Sequence, residues 1–224
     1  MAPNHPSNPA PKRPQQTRAI RTREKLMAAL ERLLRRHEFE NISVQDIAKE
    51  AGVAVGSVYS HFKDKTAFLE ALLAAWREQV QARLKVAEEQ DAAAAFRAMG
   101  NLRVALFEIT KAVHAQTIEN GHILRAIHTY ARLHPELEED DWATLVIRSF
   151  GPISDLLTIY ADEITLIDHD RATNMLGVFF NTIFIRAALM PSDALIEAAK
   201  LDDETMIGEV TDMALGYLTL PRGG

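Results

Sequence analysis

Without cysteine, metal chemistry in this 224-residue chain would have to come from its histidines and acids. That absence removes disulfides, thiolate metal sites and thiol nucleophiles, and it fits a reducing compartment. Five histidines, His114, His122, His128, His134 and His169, fall in the second half, and Asp168, His169 and Asp170 form a local acid-histidine cluster. No ligand spacing typical of zinc appears among them, so no metal and no cofactor is expected. There is no glycine-rich phosphate loop, no nucleophile elbow and no paired-histidine metal motif, so the chain does not read as an enzyme. Binding chemistry is left, and charge says to what. The net charge of -6 is unevenly spread: residues 1–85 hold 15 Lys or Arg against 9 Asp or Glu, whereas residues 86–224 hold 10 against 22. A basic module suited to phosphates, attached to an acidic body with another task, accounts for that asymmetry.

The elements that would position such a module can be read from periodicity. Residues 1–16 (MAPNHPSNPAPKRPQQ) lack apolar repetition and predict a flexible arm. From Thr17 onward, Leu26, Leu30, Leu33 and Leu34 recur at helical spacing while Arg21, Arg23, Lys25, Arg32 and Arg36 take other faces. Ser43 and Asp46 make an S-x-x-D capping box for a second helix, which must end near Ala51 and Gly52, where glycine permits positive backbone angles. Val53 follows as a buried pivot, residues 55–61 form a third short helix, and Asp64 caps a fourth that carries Leu69, Leu72, Leu73, Trp76 and Val80 on one stripe. Further helices are predicted near 92–118, 122–133, 140–162, 169–190 and 203–219, with a shorter one at 193–200. No segment alternates as a strand does. The longest apolar runs, such as Met175 to Leu189, are interrupted by Asn181, Thr182 and Arg186 and are too short to span a bilayer. With no secretion signal indicated, the expected location is cytoplasmic, with no membrane partner.

The segment ISVQDIAKEAGVAVGSVYSHFKDKTAFLEAL, residues 42–72, resembles the DNA-binding signature of the TetR family, with matches at Ile47, Ala48, Gly52, Val53, Val58, Tyr59, Phe62, Lys65 and Leu69. With the helix before it, the resemblance covers roughly residues 17–80. Physically, Ile47, Ala48, Ala51, Val53, Val58 and Phe62 can form the small core of a helical hairpin, leaving the third helix free to enter a major groove about 12 Å wide. By the register of the resemblance, Gln45, Ala54, Val55, Gly56 and Ser60 face the bases or their immediate neighbourhood. Gln45 could bond an adenine edge or simply solvate an exposed helix, and Val55 could contact a thymine methyl. The resemblance also puts Tyr59, His61 and Lys65 along the phosphates, with Ser57 close by, Ser43 counted with them, and Thr17 on the neighbouring strand. Lys12, Arg13 and Arg18 either extend that footprint or are ordinary solvated charge.

The resemblance implies an all-α chain: an N-terminal three-helix helix-turn-helix DNA-binding domain and a larger helical ligand-binding and dimerisation domain. The expected division is an arm at 1–16, the helix-turn-helix domain at 17–64, and a connecting helix plus effector-binding and dimerisation domain at 65–224. A double-stranded DNA operator is the expected partner. A homodimer is expected through the last two long helices, because NMLGVFFNTIFIRAALM is apolar nearly all round and needs a second surface. An unidentified, largely hydrophobic small-molecule effector is implied, with Arg103, Phe107, His114, Trp142, Phe150, Tyr160, Phe180 and Asn181 as candidate contacts. The expected outcome is a repressor released by that effector. The alternative is a DNA-anchored regulator whose C-terminal domain binds a protein instead.

Overall fold

The computed structural model describes residues 13–90, 92–133, 140–190 and 193–221, and among these the regular structure is helical throughout. The chain separates into two compact units, Met1–Leu72 and Leu73–Gly224.

The first unit contains α1 (Arg13–Leu34), a 3-10 turn (Phe39–Asn41), α2 (Val44–Ala51), α3 (Val55–Tyr59) and the opening turns of α4 (Thr66–Glu89). Helix α1 begins earlier than its periodicity predicts and takes in residues 13–16 of the expected arm. Pro14 allows this, since a first-turn amide has no intrahelical acceptor to lose. The rest of that arm, including Lys12, lies outside the described residues. Leu26, Ala29, Leu30, Leu33 and Leu34 are all buried along one face of α1, where they meet Ile47 and Ala48 of α2 and Val58 of α3 in a single small core. Ala51 and Val53 are only half-buried, contrary to the buried pivot that the sequence suggests at Val53. They flank the turn, where helices of eight and five residues have no further layer to cover them.

The second unit continues α4 and adds α5 (Ala92–Met99), α6 (Leu102–Glu119), α7 (Gly121–Leu133), α8 (Asp140–Arg148), α9 (Gly151–Ile159), a 3-10 turn (Ala161–Glu163), α10 (His169–Leu189), α11 (Ala194–Ala199) and α12 (Asp203–Thr219). Two of the predicted long helices are each broken in two. Gly100, at φ +87°, ends α5, and the Asn101 side chain accepts the Val104 amide at 3.0 Å to start α6. Pro152, in the first turn of α9, has no amide to continue a ladder from α8. Leu102, Leu106, Ile153, Leu156, Leu157, Leu176, Phe180, Phe184, Val210 and Leu218 form the core of this unit, with α6 packed on α12, α10 and α9. Two fully buried hydroxyls, Thr110 and Thr211, donate to carbonyls one turn back, at Leu106 and Ile207 (both 2.7 Å), which removes the cost of burying them.

Helix α10 is, at 21 residues, long and apolar enough by composition to cross a membrane, which corrects the expectation that its apolar run is too short. Its composition has another explanation, because Ala172, Leu176, Phe180, Phe184 and Ala188 are buried against neighbouring helices. At Gly177 the ring of Phe150 lies directly on the α10 backbone, so close that a Cβ would overlap it. Gly177→Ala must therefore push Phe150 out of its seat. We expect a loss of roughly 1–3 kcal/mol in urea-induced unfolding of the second unit, with far-UV circular dichroism retained; unchanged stability would mean that the ring relocates without strain.

Candidate nucleic-acid interface

The recognition element is built from the turn outward. Ser43 opens α2 as a reciprocal cap: its hydroxyl oxygen accepts the Asp46 amide at 3.1 Å, and the Asp46 carboxylate accepts the Ser43 amide at 2.9 Å and the Ser43 hydroxyl at 2.6 Å. Those bonds, the hydroxyl foremost, hold the Asp46 carboxyl below its ordinary range. Helix α2 ends at Gly52, whose φ of +67° places it in the left-handed region, and the Val53 amide bonds back to Ala48 at 3.0 Å. Open space surrounds the position where a Cβ would stand, so the backbone angle alone asks for glycine here. The chain then enters α3 at Val55.

Helix α3 is shorter than the predicted 55–61, because its regular part stops at Tyr59 and a tighter turn follows, in which His61 and Phe62 both donate to the Val58 carbonyl at 2.9 Å. Val58 is wholly buried and Phe62 nearly so, with Phe62 stacked on Phe68 of α4 at a centroid distance of 3.9 Å. With those two side chains inward, the remaining side chains of α3 point away. Ala54, Val55, Gly56, Ser57, Tyr59 and Ser60 are exposed, His61 is half-buried, and Gln45 is exposed on α2. Tyr59 keeps 54% of its surface open, a large amphipathic ring that remains half available to a partner. Ser60 spends its hydroxyl on the Ser57 carbonyl at 2.7 Å. The strip thus mixes apolar and hydrogen-bonding groups at a width one helix can present to a groove.

Not every residue of the sequence-derived set lies on that strip. Thr17 is exposed near the start of α1, and Ser43 is occupied by its capping role. Lys65 precedes the first residue of α4, and its ammonium is turned to the 3-10 turn, donating to the Glu40 carbonyl at 3.0 Å and lying 4.4 Å from the centroid of the Phe39 ring. Burial lowers its pKa, an effect partly offset by Glu40. Glu50 ties α2 to α1: it accepts from Arg32 at 2.6 Å and pairs with Arg36 at 3.2 Å, and the Arg32 hydrogen bond is the main cause of its lowered pKa. Nothing in the periodicity of α1 distinguishes these paired arginines from the others.

The candidates in the second unit are dispersed. Phe150, Tyr160 and Phe180 belong to the packed core, with the Tyr160 hydroxyl donating to the Phe96 carbonyl. His114 is buried with its edge toward Phe184, and its Nε2 is 3.6 Å from Asp203. Arg103 sits at the surface in an ion pair with Asp212 at 2.9 Å, Phe107 is half-buried, and the Trp142 side chain lies outside the described residues. Asn181 donates to the Gly177 carbonyl at 2.9 Å and lines a solvent-open hollow of about 390 Å³ with Thr182, Ile185, Arg186, Leu189 and Met190. His122, His128 and His169 do not gather with acids into a group able to hold a metal among the described residues, and His134 lies outside them.

A family model described as bacterial regulatory proteins, tetR family, matches residues 26–72. An HTH-type transcriptional regulator of Staphylococcus aureus (strain bovine RF122 / ET3-1) is 42% identical over 48 residues, a match that spans 21% of this chain and 26% of that relative. Among solved structures, a TetR-family transcriptional regulator of Mesorhizobium loti MAFF303099 superimposes with a TM-score of 0.60 at 17% identity, covering 89% of this chain and 96% of its own. NalD of Pseudomonas aeruginosa, described as the secondary repressor of the MexAB-OprM multidrug efflux pump, does so with a TM-score of 0.51 at 18% identity, covering 91% of this chain and 100% of its own. These structural likenesses, all at low identity, extend the shared fold over both units.

The capping box gives a test of how α2 is held. Ser43→Ala should cost about 1 kcal/mol in chemical denaturation near neutral pH. Because the Asp46 pKa is depressed in the folded chain, its contribution is present above the usual carboxylate range and fades as pH falls through the depressed value. The difference between wild type and variant should therefore shrink below about pH 4. A difference independent of pH would exclude the carboxylate from the cap's contribution.

Proposed function

We propose that this chain, whose residues 26–72 match the tetR family of bacterial regulatory proteins, is a dimeric transcriptional repressor that reads a palindromic operator with α3 and leaves it when a small, largely hydrophobic effector binds the second unit. The observation that carries the DNA-binding part is the exposed strip from Ala54 to Ser60, held outward by the burial of Val58 and Phe62. In this reading Gln45, Ala54, Val55, Gly56 and Ser60 face base edges. Thr17, Ser43, Ser57, Tyr59, His61 and Lys65 lie toward the phosphates, and Lys65 keeps two ammonium hydrogens after its bond to Glu40. One hairpin covers too little DNA for selectivity, so two copies address two half-sites roughly 34 Å apart.

The partner surface is the outer face of α10, with α12 contributing. Met175 and Val178 remain 48% and 56% exposed, Thr182 and Ile185 continue the stripe, and Met213 of α12 is 56% exposed. An apolar face of this kind is costly in water and suits a self-complementary interface. In the alternative reading the second unit binds a protein in place of the effector, which calls for a filled interior and an exposed apolar groove, whereas sensing calls for an apolar cavity. The effector is placed among the helices from α5 to α10, where Phe107 and Phe150 are only half-buried and can yield to an apolar molecule. Arg103, His114, Trp142, Tyr160, Phe180 and Asn181 complete the candidate set. Binding there and DNA binding oppose each other by one coupling factor, typically 5- to 150-fold.

Selection of duplexes from a random pool tests the reading as a whole, and enrichment of an inverted repeat is the expected result. Tyr59→Ala should then weaken binding to every duplex by about fivefold and make the dependence of log K on log salt shallower. Recovery of no preferred duplex refutes DNA recognition. Val178→Glu should convert a dimer to monomer in sedimentation velocity and reduce operator affinity at least about tenfold; a variant that stays dimeric would move the interface elsewhere.

A further inference from the structure

The cations of α1 fall into two groups that the sequence alone does not separate. At the C-terminal end, Arg32 and Arg36 share Glu50 as ion-pair partner and Arg35 pairs with Glu31. Toward the N-terminal end, Arg18, Arg21, Arg23 and Lys25 have no acid within salt-bridge distance among the described residues. Helical periodicity divides these four again. Arg18, Arg21 and Lys25 lie on the face opposite the buried Leu26, Leu30 and Leu34, whereas Arg23 lies on the same side as that core. Its guanidinium carbon sits 4.6 Å from the centroid of the Phe62 ring.

That placement differs from the other ring-stacked cation of the unit. The Lys65 ammonium over Phe39 already has a carbonyl acceptor, at Glu40. Arg23 has no acceptor among the described residues, and it is exposed beside Phe62, which is itself next in sequence to His61 and three residues from Tyr59. A guanidinium resting on an aromatic face keeps its N–H edges free in its own plane, and those edges match two oxygens of a phosphate. The ring removes much of the rotamer freedom that a solvated arginine would lose on binding.

We propose that Arg23 is a phosphate-binding residue of the DNA interface, held by Phe62 so that it extends the contacts of Tyr59 and His61 onto α1. The assignment rests on the proposed DNA-binding function, and it adds a residue that charge pattern and motif register do not single out. The ligand is the backbone of duplex DNA, so the contact fixes position and adds affinity without reading bases. Arg18, Arg21 and Lys25, on the other side of the helix, contribute only to the general positive field.

The test compares two substitutions that remove one charge from opposite faces of one helix, in the full-length protein, on the duplex enriched by selection and on a scrambled duplex. Arg23→Met should weaken both complexes about tenfold and lower the slope of log K against log salt by about 2, one contact for each protomer of the dimer. Lys25→Met should weaken them less than about twofold. Arg23→Lys, which keeps the charge but loses the planar fork, should fall between wild type and Arg23→Met. Equal effects of Arg23→Met and Lys25→Met on affinity and slope would overturn the assignment and leave only a diffuse field. Should Arg23→Met melt early, Arg23→Lys at unchanged melting temperature decides: lost affinity supports the contact, and full affinity overturns it. Wild-type protein that binds no duplex fails the regulator reading itself, a result separate from wild-type binding with an indifferent Arg23.

Discussion

A five-residue helix cannot stand alone in water, and the headpiece depends on how α3 is nevertheless held. Nucleation costs several fixed residues before hydrogen bonds offset it, so isolated helices far longer than Val55–Tyr59 are marginal. Burial of Val58, the tight turn that bonds His61 and Phe62 back to the Val58 carbonyl, and the stack of Phe62 on Phe68 supply what local propensity lacks. The left-handed turn at Gly52 sets the entry direction. The same packing that stabilises α3 leaves its other faces without partners, and so stability of the element and availability of its binding surface have one cause.

Electrostatics follow from that scaffold. Glu50 collects two arginines of α1 and thereby joins the two helices, and the capping box of Ser43 with Asp46 uses up the acid nearest the start of α2. Cations without an ion-pair partner among the described residues include Arg18, Arg21, Arg23 and Lys25 in the N-terminal part of α1. A chain with a net charge of -6 can in this way present phosphates with a locally basic surface, because attraction at short range is set by which charges are already paired.

The second unit uses one helix for two purposes. Phe180 and Phe184 of α10 fill the core, Gly177 admits the Phe150 ring, and Met175 and Val178 remain outside on the opposite face. Apolarity all round the helix thus fills the core on one face and leaves an exposed apolar stripe on the other. The half-buried positions of Phe107 and Phe150 leave the aromatic part of this core less tightly committed than its centre.

By itself the sequence determined what local rules control. Helical periodicity, the Ser43 cap, the Asp64 side chain that accepts the Ala67 amide, and the glycine at a left-handed turn are short-range features, and each stands in the structure as read. Resemblance over residues 42–72 marked the segment from Ala54 to Ser60, which the structure leaves exposed except at Val58, for the same reason, since its motif is contiguous. The breaks after Met99 and Arg148 are local too, but Gly100 and Pro152 were outweighed by the long apolar repeats on either side. Tertiary structure alone decided that Glu50 pairs with Arg32 and Arg36, that Lys65 turns toward Glu40, and that Arg23 rests on Phe62, because these partners lie 14 to 39 residues away and no period within one helix encodes them. Which of the aromatic residues in the second unit are spent on packing is likewise a property of helices meeting in space, where shape and volume, rather than residue type, select the neighbour.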